Sequence, residues 1–163
     1  MTSYIGIDPG LGGAAAQVYP DGGEPSVEDT PTVEVARGKG KSRIYVETLM
    51  VELIGHYEHI SGGHVRALIE RQGARPGEGV RSTFSSGYGY GLWIGILSAL
   101  EIPWFQVEPR AWKKEMQATD DKNASRRRAM ELFPAMASAL SRVKDHGRAE
   151  ALLIAEYARR KGL

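Results

Sequence analysis

The order of the apolar segments along the chain is the feature that most constrains how it folds. Residues 4–8 predict a short strand, and the glycine-flanked residues 12–19 predict a second strand that forms a hairpin with it. Beyond residue 42, helical and strand-like segments alternate. A hairpin followed by alternating helices and strands predicts an α/β domain, with a mixed β-sheet flanked by α-helices.

The remaining segments follow from apolar periodicity and from glycine and proline stops. They are a strand at 32–36, a basic loop at 37–41 that we expect to be mobile, a helix at 43–60, a strand at 64–70, a loop at 73–79, a helix at 85–100, a strand at 103–107, a helix that starts near Pro109, a helix at 124–132 and a terminal helix at 147–160. No internal repeat interrupts them, so we expect residues 1–163 to form a single domain.

The amino-acid composition excludes several classes of protein. Apolar residues make up 42% and charged residues 25% of the chain, which is typical of a folded protein with its own core. The absence of cysteine excludes disulfides, thiol catalysis and cysteine-ligated metals. There is no apolar run of ~18 residues, so we expect no membrane partner. The first residues lack a signal-peptide pattern, and we expect a cytosolic location with an organellar origin left open.

Charge is balanced overall but unevenly distributed. The 21 lysines and arginines against 20 aspartates and glutamates give a net charge of +1, which argues against a surface that binds polyanions everywhere. The basic residues form two clusters, a pattern that suits nucleic acid and a solvated face equally well. They comprise Arg37, Lys39, Lys41 and Arg43 in the first cluster and Lys113, Lys114, Lys122, Arg126, Arg127 and Arg128 in the second.

Acidic residues stand at the ends of three apolar segments. Asp8 and Glu70 close predicted strands, and the carboxyl ends of strands are a usual site of function in α/β folds. Glu150 lies beside the buried stripe of the terminal helix, and His146 lies one turn earlier on the same face. Carboxylates gathered at one point repel each other unless a cation neutralises them, and oxygen ligands with an imidazole suit Mg²⁺ or Mn²⁺. Taken singly, each residue also has an ordinary role, as a turn residue at Asp8, a helix cap at Asp145 or an exposed position at Glu150.

Five short segments, in this order along the chain, resemble the RuvC family of Holliday-junction resolvases. The similarity is strongest to the phage-type members and the plant chloroplast resolvase, and it extends over nearly the whole chain. The segments are 5–10 (IGIDPG), 69–70 (IE), 86–95 (SGYGYGLWIG), 107–114 (VEPRAWKK) and 147–155 (GRAEALLIA). The first segment alone is weak, since similar turns open sugar-kinase and actin-type folds, but the combination is specific.

The resemblance implies an RNase H-like fold, a homodimer and a Mg²⁺-dependent nuclease that hydrolyses phosphodiester bonds in a four-way DNA junction. It also implies two Mg²⁺ ions per active site, with Mn²⁺ as a substitute, and the cytoplasm of a bacterial or phage-infected cell. By position, Asp8 and Glu70 match the first two catalytic acids of the family and Glu150 matches the last. Two alternatives stay open: an inactive protein that only binds junctions, and a nuclease of the same fold that cuts hybrids or flaps.

One position departs from the commonest pattern of the family. Many members carry an aspartate three residues before the last acid, where this chain has Gly147. Some members use a histidine nearby, and the chloroplast-type enzymes place an acid where this chain has His146. We therefore expect His146 to be the fourth metal ligand or proton-transfer group, with Asp145 as the second choice and a structural role for His146 still open. One of the adjacent Lys113 and Lys114 is expected to hold the scissile phosphate; position favours Lys113 as the match to the family's lysine, and Lys114 stays open as the alternative.

Two further sets of residues are assigned to binding. Residues expected to contact DNA follow the strand that ends at Glu70 or lie in the second basic cluster; they are Gln72, Arg75, Arg81, Lys114, Lys122, Arg126 and Arg127. Gly87, Gly91 and Gly95 recur every four residues and leave one face of a predicted helix without side chains. Such a face suits close packing on the sheet or on a second subunit, and the resemblance favours a dimer.

Overall fold

Seven strands form a five-stranded mixed sheet and a separate ribbon in a computed structural model that describes residues 1–163. The strands are β1 (Ser3–Asp8), β2 (Ala14–Val18), β3 (Ser26–Asp29), β4 (Thr32–Arg37), β5 (Gly40–Tyr45), β6 (Val65–Glu70) and β7 (Trp104–Val107). The sheet has the order β3-β2-β1-β6-β7, in which β1 and β2 form an antiparallel hairpin and β6 and β7 run parallel to β1. β4 and β5 pair only with each other.

Five α-helices accompany the sheet. They are α1 (Glu47–Ile60), α2 (Val80–Ala99), α3 (Pro109–Met116), α4 (Lys122–Leu132) and α5 (His146–Lys161). Single turns of 3-10 helix at Pro134–Met136, Ser138–Leu140 and Val143–Asp145 connect α4 to α5. No helix combines the length and the hydropathy that crossing a bilayer requires.

The alternation of side chains along β1 divides the core into two clusters. Ile5 and Ile7 point to one face of the sheet and pack with side chains of α1 and α2. The other face is covered by α5, whose apolar residues cluster with side chains of β2, α3 and α4. Gly6 lies on this second face, where a Cβ would overlap backbone atoms of Ala151 and Ala155. α5 lies directly against β1 because the strand carries no side chain at that point.

Most of the predicted elements are confirmed, including the hairpin, the strand that ends at Glu70, the strand before Pro109 and the terminal helix. The strand predicted at 32–36 is confirmed as β4, which pairs with β5 in the ribbon, whereas β3, the third strand along the chain, was not predicted. Only one of the four residues of β3 is apolar, so its sequence gives little strand signal. The predicted loop at 37–41 forms the turn of the ribbon and the start of β5.

The helix predicted at 43–60 is wrong in its first turn. Residues up to Tyr45 belong to β5, and α1 begins at Glu47. Ile44 fits the helical spacing, but it is 44% exposed on the ribbon and is not part of a buried stripe. α2 likewise begins at Val80, before its predicted start at residue 85.

Candidate active site

Asp8 and Glu70 end neighbouring strands at the carboxyl edge of the sheet. β1 and β6 are parallel, and their register places Ile7 opposite Ile69, so that the next residue of each strand is an acid. Both acids share the face of Leu68, which packs in the cluster under α5. Glu70 is only 5% exposed. Register and side-chain alternation therefore direct the first two predicted acids to the same edge, on the α5 side of the sheet.

The third acid, Glu150, approaches this edge from α5. Burial raises the pKa of Asp8 to about 8, and the negative charges of Glu150 and Glu70 act in the same direction. Burial also raises the pKa of Glu150, with Glu70 adding to the effect. The three carboxyl groups are close enough to repel one another when all are ionised.

Lys113 of α3 places its ammonium group beside the acids. Its Nζ lies 3.9 Å from Glu150 Oε1 and donates a hydrogen bond of 2.9 Å to Asp120 Oδ1. Burial alone would lower the pKa of Lys113, but the hydrogen bond to Asp120 and the charges of Glu150 and Glu70 outweigh it and raise the pKa. Lys113 therefore stays positively charged at neutral pH, whereas the neighbouring Lys114 is exposed and makes no ion pair.

The donor set fits Mg²⁺ or Mn²⁺ in chemistry and in charge. Carboxylate oxygens are the ligands these ions prefer, and a bound cation would offset the burial and the neighbouring carboxylates that raise the pKa of Asp8. As the side chains stand, no three histidines, aspartates or glutamates converge on one point. Both oxygens of Glu70 accept hydrogen bonds, from Trp112 Nε1 at 2.6 Å and from Gln72 Nε2 at 3.2 Å. Metal binding would therefore require these side chains to reorient until their oxygens converge.

Trp112 is a residue of the site that the sequence analysis did not single out. Its side chain is completely buried, and its indole N–H donates the short hydrogen bond to Glu70 Oε2. The Lys113 Nζ lies 5.5 Å from the centroid of the same ring. Trp112 therefore contacts both the Glu70 carboxylate and the Lys113 ammonium group. Its place directly before two lysines in a resembling segment is the signal that points to it.

His146 is the first residue of α5, one turn before Glu150. Its Nδ1 lies 3.3 Å from the carbonyl oxygen of Val143, and no hydrogen bond joins it to the three acids. Burial and the positive charge of Lys122 lower the pKa of His146, so the imidazole is neutral at neutral pH. The charge of the same lysine lowers the pKa of Glu150, which lies one turn further along α5.

Asp145, the second choice for the fourth group, is engaged elsewhere. Its carboxylate is 3% exposed and accepts hydrogen bonds from the backbone N–H of Arg142 at 2.8 Å and from its Nη2 at 2.9 Å. The hydrogen bond from the Arg142 side chain lowers the pKa of Asp145, the opposite of the effect at Asp8. These contacts argue that Asp145 caps the 3-10 turn Val143–Asp145, which precedes α5, and argue against Asp145 as a ligand.

A close backbone contact explains why no aspartate stands at position 147. Gly147 is buried, and a Cβ there would overlap the carbonyl oxygen of Gly12 and lie 3.0 Å from Gly13 Cα. These two glycines belong to the turn that follows Asp8. A hydrogen bond of 2.9 Å from the Gly13 N–H to the Gly10 carbonyl oxygen closes this turn. The turn and the start of α5 fit together because position 147 has no side chain.

The predicted DNA-binding residues fall into three groups. Gln72 donates to Glu70 and therefore belongs to the acid cluster. Arg126 donates to the carbonyl oxygens of Leu140 at 2.8 Å and Ser141 at 2.6 Å, so its guanidinium also holds the 3-10 turns in place. The others are exposed and make no ion pair; they are Arg75, Arg81, Lys114, Lys122 and Arg127.

Comparison with known sequences supports the resemblance to resolvases. A scan against protein-family models finds no match. Over 85 residues the chain is 35% identical to the chloroplastic Holliday junction resolvase MOC1 of Chlamydomonas reinhardtii, a segment that covers 51% of this chain and 10% of that protein. The match thus spans half of the chain and a tenth of the relative's length, and it confirms the resemblance inferred from the motifs.

Comparison with solved structures shows the fold. The structure of Thermus thermophilus RuvC in complex with a Holliday junction substrate matches with a TM-score of 0.61 at 12% identity, over 99% of this chain and 97% of that chain. A second structure of Thermus thermophilus RuvC matches with a TM-score of 0.52 at 15% identity, over 98% and 97%. These likenesses confirm the expected RNase H-like α/β fold, with a mixed sheet flanked by helices.

Proposed function

We propose that the chain is a structure-selective endodeoxyribonuclease that resolves four-way (Holliday) DNA junctions by symmetric, Mg²⁺-dependent hydrolysis of two opposed strands. The observation that carries the proposal is the meeting of Asp8, Glu70 and Glu150 at one sheet edge beside Lys113. The likeness to a chloroplastic Holliday junction resolvase supports the substrate. In this proposal residues 1–163 act as one nuclease domain.

Asp8, Glu70 and Glu150 would hold the divalent cations, for which we propose two Mg²⁺ ions per site with Mn²⁺ as a substitute. When bound, such ions neutralise charge on the phosphate and activate a water. Asp8 must lose its proton to act as a ligand, because its pKa is about 8 in the cluster without a cation. Trp112 holds Glu70 through its 2.6 Å hydrogen bond, so that this carboxylate faces the other acids.

Lys113 is suited to hold the scissile phosphate. Its ammonium remains charged, and Asp120 and Glu150 position it from two sides. A depression of about 510 Å³ beside α3 is lined by Lys113 together with Arg110 and Lys114. Lys113 can therefore donate hydrogen bonds to a non-bridging phosphate oxygen and stabilise the negative charge that grows there during hydrolysis.

His146 is proposed as the fourth group, acting through its unbonded Nε2 as a metal ligand or in proton transfer. His146→Ala should lower the rate of junction cleavage by about 10²-fold, the scale typical of a lost acid–base group, whereas His146→Asp should retain much of the rate. Single-turnover cleavage in Mg²⁺ measures both variants. His64→Ala, at an exposed histidine before β6, is the matched control. A wild-type rate for His146→Ala would assign the residue a structural role.

The exposed face of α2 supports a homodimer. Apart from the neighbouring backbone of α2 itself, nothing in the protomer lies within 4 Å of a Cβ built at Gly87, Gly91 or Gly95, so these glycines do not pack on the sheet. The same face carries Val80 and Phe84, which are 88% and 75% exposed. Cutting two opposed strands requires two active sites, and a second copy related by a two-fold axis supplies the second one.

Gly91→Leu should convert the dimer to a monomer while the protomer stays folded. The leucine would block the close approach of a second copy. Within the protomer it should stabilise α2, because glycine costs about 1 kcal/mol in a helix relative to better helix formers. Light scattering measures the mass and thermal denaturation measures the stability. Gly55→Leu, in α1 and also with open space around its Cβ, should leave the mass unchanged. A dimer that persists in Gly91→Leu would place the interface elsewhere.

The proposed activity is tested by comparing cleavage of a four-way junction, a flap and an RNA–DNA hybrid of matched sequence in Mg²⁺. We expect paired nicks in the junction and little cutting of the other two substrates. Equal cutting of all three would indicate a less selective nuclease of this fold. Binding without cleavage would indicate an inactive junction-binding protein, and loss of cleavage in Glu70→Gln excludes a contaminating nuclease.

A further inference from the structure

A basic groove lies between the β4–β5 ribbon and the first turns of α2, outside the acid cluster. Its volume is about 1180 Å³, and we call it the ribbon groove. Four basic side chains line it against a single acid, Glu47, whose carboxylate accepts a 2.8 Å hydrogen bond from the Tyr88 hydroxyl. The basic residues are Arg37, Lys41, Arg43 and Arg81.

The basic side chains of the ribbon groove are largely free to bind an anion. The side chains of Arg37 and Arg81 make no hydrogen bond or ion pair within the chain. Arg43 donates one hydrogen bond, to Thr32 Oγ1 at 2.8 Å, and Lys41 forms one long, exposed ion pair of 3.4 Å with Glu34. Exposed pairs of this kind contribute little, about 0–1 kcal/mol. The groove therefore has an excess of positive charge that the protein itself leaves uncompensated.

The wall of the ribbon groove formed by α2 is rich in hydroxyl groups. Ser85 and Ser86 line it without hydrogen bonds of their own, and Ser82 lies beside them. Arginine side chains facing serine hydroxyls are a common arrangement around the phosphates of a nucleic acid strand. Apolar and aromatic side chains also line the groove, among them Phe84 and Tyr88, so that the sugars of such a strand could pack beside its phosphates.

The ribbon groove borders the turn that follows Asp8. Gly10 and Leu11, which follow Asp8 in the turn after β1, form part of its lining. Tyr45 at the end of β5 donates a 3.4 Å hydrogen bond to the carbonyl oxygen of Pro9 and so fixes the ribbon to this turn. A chain of phosphates lying in the groove would continue toward the carboxylates.

We propose that the ribbon groove holds the sugar–phosphate backbone of the DNA strand that enters the active site. This inference rests on the proposed function for the identity of the DNA, and it assigns DNA contacts to Arg37 and Arg43. The ribbon, which pairs with no strand of the main sheet, then acts as an arm that guides one strand to Asp8.

The salt dependence of binding tests the groove separately from cleavage. Fluorescence anisotropy of a labelled four-way junction in EDTA, at several NaCl concentrations, compares the wild type with the double variant Arg37→Gln/Arg43→Gln. Each lost phosphate contact should reduce the slope of log K against log [salt] by about 0.9, so we expect a decrease of about 2. Arg66→Gln, at an exposed arginine near the amino end of β6, should keep the wild-type slope.

A wild-type slope in the double variant would overturn the groove assignment. Binding that weakens in the double variant supports the groove even if the wild type does not cut junctions in Mg²⁺, a result that would count against the proposed activity alone. Failure of the wild type to bind any DNA would overturn both. If the double variant proves unfolded by circular dichroism, the single variant Arg37→Gln serves instead, because the Arg37 side chain makes no hydrogen bond or ion pair that the change would remove. Its slope should fall by about 0.9.

Discussion

Replacing Asp8 with asparagine should lower the rate of junction cleavage by about 10³-fold or more, equivalent to about 4 kcal/mol of transition-state stabilisation. The change removes one formal negative charge from the proposed cation site and leaves every lysine and arginine in place. Affinity for the junction should therefore stay within about threefold of the wild type. Quenched-flow or gel-based single-turnover assays measure the rate, and anisotropy in EDTA measures binding.

The same substitution should have the opposite effect on stability when no divalent cation is present. The pKa of Asp8 is about 8 in the folded chain against an ordinary value of 3.8, so the folded state binds this proton more tightly than the unfolded state. The wild type should then lose stability as the pH rises from about 4 to 8, because ionising Asp8 costs free energy only in the folded chain. Asparagine stays neutral, so the Asp8→Asn variant should become progressively more stable than the wild type across this range.

Urea denaturation at pH 5 and pH 8, with EDTA or with Mg²⁺, measures both effects. Mg²⁺ should raise the urea midpoint of the wild type at pH 8 and have little effect on Asp8→Asn, because a ligand stabilises only the state that binds it. Asp21→Asn makes the same chemical change in an exposed turn, where the amide oxygen can still accept the hydrogen bond from Gly23, and should behave as the wild type. Equal stabilisation of wild type and Asp8→Asn by Mg²⁺ would contradict the assignment of Asp8 as a ligand.

The positions of Asp8 and Glu70 at the carboxyl edge of the sheet could be predicted from the sequence, because they depend only on where each strand ends. An apolar strand that ends in a carboxylate places that side chain at the sheet edge, and parallel strands such as β1 and β6 end on the same side. The contact between Trp112 and Glu70 was not predictable in this way, because the two residues lie 42 positions apart and no periodicity links them. The same holds for the ribbon, whose strands are mostly exposed and carry no buried stripe.

Glycine periodicity shows a similar limit. The spacing of Gly87, Gly91 and Gly95 correctly indicates one shared helix face, but sequence alone does not say what covers it. The glycine of α2 that packs within the protomer is Gly89, where a Cβ would overlap the Tyr45 hydroxyl. The contact between Gly89 and Tyr45 could not be predicted, because the sequence analysis placed Tyr45 in a helix and the structure places it at the end of β5.

The substitution that would restore the commonest family pattern, Gly147→Asp, should destabilise this chain by about 3 kcal/mol and not increase its activity. Every local effect favours the aspartate, since glycine costs about 1 kcal/mol in a helix and a negative charge is favourable in the first turn. Packing opposes it, because the new Cβ would overlap the carbonyl oxygen of Gly12, which is backbone and cannot rotate away. The turn that carries Asp8 would have to move.

Thermal denaturation distinguishes these two effects because they have opposite signs. A loss of about 3 kcal/mol corresponds to a decrease of roughly 10 °C in Tm for a domain of this size, whereas local helix effects alone would raise the Tm. Gly12→Ala is the matched control, since it lies in the same contact but its own Cβ would meet open space. It should keep the wild-type Tm and cleavage rate. A Gly147→Asp variant with an unchanged Tm and a higher cleavage rate would show that the turn after Asp8 can move without loss of stability. It would also show that an aspartate at position 147 is a better fourth active-site group than His146.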